Sequence, residues 1–146
     1  MSAGIRSDPP LPRSGDVINF IFLFAHEAIS RDEGVKERPC MVVEIDHTTK
    51  RVRVTPFTTK GDRYPNTMPV PEQVASAANL SHPTAIVIAE TNTFTWLGYD
   101  VRPLSSTGNI HIGRLTPGFA KSALLAVLDQ KRPKNVDRDT HQIPDE

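Results

Sequence analysis

The stretch ERPCMVVEI (residues 37–45) is followed, after a short polar segment, by RVRVTPFTT (residues 51–59). Both runs are apolar and rich in β-branched residues, which favours strands. If they pair as an antiparallel hairpin through residues 47–50, the chain reversal brings Arg38 near Thr58 and Thr59. A fixed guanidinium beside hydroxyl groups can hold a phosphodiester and stabilise the negative charge that builds on its oxygens. The hairpin is therefore a candidate RNA-cleaving site.

The composition predicts an ordinary folded domain. The chain has 146 residues, 38% of them hydrophobic and 23% charged, which is the range of a single globular domain. Its 17 basic and 17 acidic residues balance, so the global charge favours neither nucleic acid nor a membrane surface. Locally, basic side chains crowd one stretch in which Asp62 is the single acid: Lys50, Arg51, Arg53, Lys60 and Arg63. Either a phosphate-binding groove or a solvated hairpin end fits this stretch.

The only cysteine, Cys40, excludes an intrachain disulfide and is typical of a reducing compartment. Its place inside an apolar strand indicates a buried structural thiol rather than a nucleophile. No segment approaches the roughly twenty apolar residues that a membrane span requires, and residues 1–13 contain no hydrophobic signal region. We expect a cytoplasmic protein that has no membrane partner.

The chain divides into three parts. Residues 1–14 are rich in proline and predict a flexible leader, and residues 131–146 are polar and predict a disordered tail. Residues 15–130 form the predicted folded domain.

Many short strands are predicted within this domain. They cover residues 15–24, the hairpin over 38–57, an edge strand over 67–70, a central strand over 84–91, and short candidates near 99–102 and 110–112. A polar loop is expected over 25–37, a short helix over 72–79, and a last helix that begins after Thr116 with Pro117 in its first turn. We predict a mainly β fold with a small, strongly bent sheet or barrel and one C-terminal helix.

Several kinds of site find no support in the sequence. The five histidines (His26, His47, His82, His111 and His141) lack the paired spacing of a metal site, and one cysteine cannot complete it. Glycine-rich phosphate-binding loops and the GxSxG elbow of serine hydrolases are absent. We therefore predict neither a metal ion nor a cofactor.

The remaining candidates suit metal-free RNA cleavage. That reaction uses the substrate's own 2′-hydroxyl as nucleophile and needs a proton acceptor, a proton donor and charge stabilisation. Arg38 suits stabilisation because arginine stays protonated and binds phosphate through two parallel hydrogen bonds. Thr58 and Thr59 can position the phosphate, and Glu33 in the long loop can accept the 2′ proton. The alternative is structural, since Arg-Pro and Thr-Thr also begin and end ordinary strands.

The order of these features resembles the MazF/PemK/Kid-type toxins of toxin–antitoxin modules. The resemblance is carried by GDV (15–17) before an apolar strand, Glu33 in a long loop, Arg38-Pro39, VTPFTT (54–59), the strand over 85–90, and IGRLTP (112–117) before the last helix. It covers most of residues 15–130.

The resemblance implies an SH3-like small barrel closed by a C-terminal α-helix, the CcdB/PemK-type fold, usually as a homodimer. Family members are metal-independent endoribonucleases (mRNA interferases) that cleave single-stranded RNA to a cyclic phosphate, and an antitoxin protein blocks their RNA groove. By this match Arg38 is the catalytic cation and Thr58 the catalytic threonine. The expected substrate-binding residues are Thr59, Lys36, Lys60, Arg53 and Glu90.

Two positions depart from the family pattern. Lys36 stands where the family has glycine, and Ile88 stands where some members carry a strand arginine that contacts RNA. An SH3-like binding module that has lost the nuclease is therefore the second hypothesis. A gyrase poison of the CcdB type is disfavoured, because such proteins act through a terminal Trp-Gly-Ile and this chain ends in IPDE (143–146).

Overall fold

A computed structural model describes residues 10–28, 36–98 and 100–140. Within these ranges the strands are β1 (Asp16–Ile21), β2 (Glu37–Asp46), β3 (Arg51–Thr58), β4 (Thr67–Pro69), β5 (Ala85–Val87), β6 (Glu90–Thr95), β7 (His111–Arg114) and β8 (Lys134–Asp137). The helices are α1 (Ala25–Ala28), α2 (Glu72–Ala77) and α3 (Pro117–Leu128). The mainly β prediction is confirmed.

The central hairpin is also confirmed. Strands β2 and β3 pair antiparallel, with Val42 opposite Val54. At the turn, the Asp46 carboxylate accepts the backbone N–H groups of Thr48 and Thr49 at 2.9 and 3.2 Å. Such side-chain acceptors replace the backbone partners that a turn leaves unpaired. The turn therefore holds the register of the two strands from one end.

The strands form a single pairing path in the order β4-β5-β3-β2-β1-β7. Strand β3 is shared, because Phe57 pairs with Ile86 of β5 whereas Arg51 pairs with Thr95 of β6. Strand β8 then adds to β6 in parallel, and the other pairs are antiparallel. The sheet therefore divides at β3: one branch continues through β5 to β4, and the other through β6 to β8.

Side chains from alternate positions of the hairpin fill two apolar clusters. Met41 and Val43 face the first cluster, which also contains residues of α2 and α3: Ala75, Ala123 and Val127. Cys40 and Val42 face the second, with Ile18, Phe20, Val52, Val54 and Phe94. This period of two explains why both faces of the hairpin are buried and its sequence is almost continuously apolar.

The strand predicted over 84–91 is divided in the structure. Strand β5 ends at Val87 and β6 begins at Glu90, with Ile88 in the intervening turn. The Thr55 hydroxyl lies 2.9 Å from the carbonyl oxygens of both Val87 and Glu90, so it bridges the two sides of the division. A continuous strand could not follow both branches of β3.

The predicted helices and edge strand are present. Helix α2 lies within residues 72–79, β4 lies within 67–70, and Thr116 precedes α3 as expected. The Thr116 side chain makes no capping hydrogen bond; its carbonyl accepts the Ala120 N–H at 2.8 Å instead. No helix in the described ranges is long and apolar enough to cross a membrane.

Three segments differ from expectation. Strand β8 and the buried Arg138 lie in the predicted disordered tail, held by the buried Val136 and by an ion pair from Arg138 to Asp100 at 2.9 Å. Helix α1 occupies part of the predicted loop over 25–37. In the predicted leader, the Ser14 hydroxyl donates to the Val43 carbonyl at 2.8 Å.

Candidate functional site

A cleft opens at the end of the hairpin opposite its turn. The last pair that β2 and β3 share at this end is Cys40 with Pro56, and Arg38 and Thr58 lie two residues beyond it on the two strands. Both line the cleft, which has a volume of about 290 Å³, the lower end for small-ligand sites. We call it the hairpin cleft; it is lined by Lys36, Glu37, Arg38, Pro39, Phe57, Thr58, Thr59, Lys60, Arg63 and Tyr64.

Arg38 is held against an aromatic ring. Its guanidinium carbon lies 5.0 Å from the centre of the Phe24 ring, within the range of a cation–π contact. Its Nε is buried and has no hydrogen-bond partner among the described residues, and none of the ion pairs they form includes Arg38. A half-buried guanidinium that forms no ion pair with the described residues can bind an incoming anion.

Cys40 lies behind Arg38 as a structural residue. Its side chain is fully buried, and its thiol donates to the Arg38 carbonyl at 3.7 Å. Burial raises the pKa of the Cys40 thiol far above its ordinary value, although the charge of Arg38 acts in the opposite direction. The thiol is therefore protonated, which agrees with a packing role rather than a nucleophilic one.

Thr58 is buried at the end of β3, and its hydroxyl has one assigned partner. The oxygen accepts the Lys60 backbone N–H at 3.0 Å, while the Thr84 hydroxyl donates to the Thr58 carbonyl at 3.2 Å. No acceptor for the Thr58 hydroxyl proton occurs among the described residues. The hydroxyl can therefore donate to a phosphate oxygen, and the exposed Thr59 lies beside it at the rim.

The hairpin cleft is electropositive although the whole chain is neutral. Its four cationic side chains, Lys36, Arg38, Lys60 and Arg63, face a single carboxylate, Glu37. That carboxylate is occupied, since it accepts a hydrogen bond from the Asn19 amide at 2.7 Å. Lys36 and Lys60, two of the predicted substrate-binding residues, therefore line the same basic cleft as Arg38.

Two aromatic residues were not among the predicted site residues. The Phe24 and Tyr64 rings stack with centroids 5.1 Å apart and an interplanar angle of 16°. Tyr64 borders the hairpin cleft directly, and Phe24 lies behind it and against Arg38. Tyr64 comes just after the basic run, so its sequence position near Lys60 and Arg63 was an available signal.

Arg53 lies away from the hairpin cleft. Its guanidinium pairs with Glu44 at 3.4 Å, and its Cα is five residues along β3 from Thr58, about 17 Å at the usual rise of a strand. The sequence placed Arg53 near the site because it belongs to the same basic run. Alternation and strand length separate it from the other cations.

Glu90 does not line the hairpin cleft either. Its carboxylate accepts the Ala25 backbone N–H at 3.0 Å. Burial raises the pKa of Glu90 above its ordinary value, while the Ala25 N–H and the charge of Lys134 act in the opposite direction. Because it holds the residue that follows Phe24, Glu90 supports the aromatic wall from behind.

The predicted proton acceptor, Glu33, lies outside the described residues. Ile88 packs partly buried against the first apolar cluster. Among the residues that the structure describes, no group of three or more His, Cys, Asp or Glu side chains could hold a metal ion.

No protein-family model matches the chain, and no curated protein matches it significantly.

Proposed function

We propose that this protein is a growth-inhibiting, metal-independent endoribonuclease of a toxin–antitoxin module that cleaves single-stranded RNA. The observation that carries the proposal is that Arg38 and Thr58 line the same cleft, together with three further cationic side chains. Arg38 has no acidic partner among the described residues, and the Thr58 hydroxyl proton is free there to be donated. Together they supply a cation and a hydrogen-bond donor for the negative charge that develops on the phosphate oxygens in the transition state.

The proposed reaction is a transesterification. The 2′-hydroxyl oxygen of the RNA bonds to the adjacent phosphorus, the bond from phosphorus to the 5′-oxygen breaks, and a 2′,3′-cyclic phosphate and a 5′-hydroxyl result. Arg38 stabilises the charge on the phosphorane oxygens, Thr58 and Thr59 position the phosphate, and Lys36 and Lys60 bind the flanking backbone. Glu33 is the proposed acceptor of the 2′ proton, which is passed to the leaving 5′-oxygen through the site or water.

The proposal includes the fold and partners that belong to this activity. An SH3-like barrel of the CcdB/PemK type is supported by the central hairpin, the division of the sheet at β3 and the packing of α3 on the first apolar cluster. A homodimer in the cytoplasm and an antitoxin that covers the hairpin cleft complete the proposal.

The second candidate function is a binding module without nuclease activity. It is favoured by Ile88, an apolar, partly buried residue where a second arginine would assist cleavage. In that case the cationic cleft binds its partner and leaves it intact.

A cleavage assay separates the two functions. The full chain is incubated with single-stranded RNA in the presence and absence of EDTA, and the ends of any product are mapped. We expect cleavage that resists EDTA and leaves cyclic phosphates. Arg38→Ala should lower kcat at least 100-fold, the scale of losing one transition-state donor.

Arg132→Ala is the matched control, since Arg132 is exposed and lies outside the hairpin cleft. Expression of the wild-type chain should arrest growth, and expression of Arg38→Ala should not. Undiminished cleavage by Arg38→Ala would refute the assignment of Arg38. Tight RNA binding without any cleavage or growth arrest would support the binding module instead.

A further inference from the structure

The hairpin cleft contains an aromatic surface that the cleavage chemistry does not use. Tyr64 is half-buried and borders the cleft, and Phe24 covers one of its faces at a centroid distance of 5.1 Å. The other aromatic ring of the lining, Phe57, is only 2% exposed. Tyr64 is thus the aromatic side chain that the described cleft offers to a ligand.

The wall behind Tyr64 is fixed by hydrogen bonds from side chains. The buried amide of Asn92 accepts the Leu23 N–H at 2.9 Å and donates to the Leu23 carbonyl at 2.8 Å. The Glu90 carboxylate accepts the next-but-one N–H, that of Ala25. Phe24 lies between these two anchors and its ring is buried in the second apolar cluster, so the surface behind Tyr64 is held in place.

Tyr64 itself is tied to the catalytic threonine. The Thr58 hydroxyl holds the Lys60 N–H, a 3₁₀ turn follows at Gly61–Arg63, and the Tyr64 N–H donates to the Gly61 carbonyl at 3.3 Å. Two residues later, the Asn66 carbonyl accepts the Ile88 N–H at 3.2 Å. The backbone is therefore anchored on both sides of Tyr64, so little backbone freedom of this segment remains to be lost on binding.

We infer that Tyr64 is a stacking platform for a nucleobase next to the phosphate held by Arg38 and Thr58. Single-stranded nucleic acid is bound by cationic grooves that follow the backbone and by aromatic rings on which unpaired bases stack. Here both parts border one cleft, since Lys60 and Arg63 shortly precede Tyr64 in sequence and line the same cleft. This inference rests on the proposed function, of which it names the base-binding element.

Tyr64 stacks on Phe24, and Phe24 in turn contacts Arg38, which gives a second explanation for any loss of activity. Removing Tyr64 could act through Phe24 on the guanidinium, 5.0 Å from that ring, instead of through lost base stacking. The two explanations differ in kinetics. Lost stacking raises KM and leaves kcat within about threefold, whereas a displaced Arg38 lowers kcat.

The test measures stacking without cleavage. A set of single-stranded RNA 12-mers carries 2′-O-methyl groups throughout, which removes the nucleophile, and 2-aminopurine at successive positions. Stacking of 2-aminopurine on a ring quenches its fluorescence. We expect quenching at one or two positions with the wild-type chain and with Tyr64→Phe, and none with Tyr64→Leu.

The Kd of the 12-mer should rise about 5- to 150-fold in Tyr64→Leu, the range for one base–aromatic stack at 25 °C. Far-UV circular dichroism checks that each variant is folded. The cleavage kinetics of the same variants on unmodified RNA supply the KM and kcat comparison.

Equal quenching and equal Kd in wild type and Tyr64→Leu would overturn the stacking inference, and cleavage by the same preparations would leave the proposed function standing. A fall in kcat at unchanged KM would also overturn it, in favour of a supporting role for the ring. Quenched, Tyr64-dependent binding without cleavage of unmodified RNA would support the stacking inference and refute the nuclease.

Discussion

Strand β8 is held by two arginines in contrasting surroundings, and their replacement should have very different costs. Arg138 is 1% exposed and its Nη2 lies 2.9 Å from an oxygen of Asp100, whose side chain is 10% exposed. Arg51 binds Asp137 and Asp139 from β3, but these side chains are 32–39% exposed. We predict that Arg138→Ala is severely destabilising and that Arg51→Ala is mild.

The magnitude follows from burial. Removing Arg138 leaves the Asp100 carboxylate buried without its counter-charge, and breaking a buried pair in this way costs about 3–5 kcal/mol. That is a large share of a typical stability of about 5–15 kcal/mol. For a chain of this size it corresponds to a fall in Tm of roughly 6–20 °C. Arg51→Ala should cost at most about 1 kcal/mol, because solvent screens its partners.

Urea unfolding followed by circular dichroism measures both variants, with the midpoint and the slope fitted separately. A second pair of variants isolates the charge effect: adding Asp100→Leu to Arg138→Met should recover much of the stability, since both charges of this buried pair are then removed. A loss below 1 kcal/mol in Arg138→Ala would refute the reasoning. Equal losses in Arg138→Ala and Arg51→Ala would refute it as well, because burial would then not decide the cost.

Two further predictions concern Glu90 and Gly113. Burial raises the pKa of Glu90 in the folded state, so its contribution favours the fold below the unfolded pKa of about 4.3 and is lost as the pH rises through the folded value. Glu90→Gln, which can still accept the Ala25 N–H, should flatten the dependence of unfolding free energy on pH above about 4; an unchanged profile would contradict this. A Cβ at Gly113 would lie 2.2 Å from the Ala78 carbonyl oxygen, so Gly113→Ala should lower the Tm by several degrees. At Gly118 an added Cβ would meet no described atom outside the local helix within 4 Å, so Gly118→Ala should not lower it. Thermal melts of the two alanine variants check this, and equal Tm values would contradict it.

The hairpin could be predicted from sequence because its pattern is local. Two β-branched runs separated by a short polar segment determine the strands and the turn, and antiparallel pairing then brings Arg38 and Thr58 to the same end of the hairpin without further information. The same holds for α3, where proline after Thr116 and apolar residues at helical spacing give the start and the buried face.

The misjudged parts depend on contacts that are distant in sequence. Strand β8 contains one buried apolar residue, Val136, and is held by backbone pairing with β6 and by the ion pair from the adjacent Arg138 to Asp100, which no local pattern predicts. The division of the strand over 84–91 is imposed by Thr55, which bridges β5 and β6 from the neighbouring strand. The tail is polar and residues 84–91 are apolar, but composition alone does not predict the contacts that these segments make with distant residues.

The division of the sheet also explains where the hairpin cleft lies. Strand β3 pairs with β6 over its first half and with β5 near its end, so Thr58 stands where β3 has turned towards β5. Arg38 begins β2 at the same end and remains paired with Phe20 of β1. The two strand ends therefore diverge beyond the last shared pair, and the space between them is the cleft. Because both ends stay paired to other strands, the sheet fixes the positions of Arg38 and Thr58. Lys60 and Arg63 lie beyond the end of β3, so substitutions there change the charge of the cleft without disturbing that geometry.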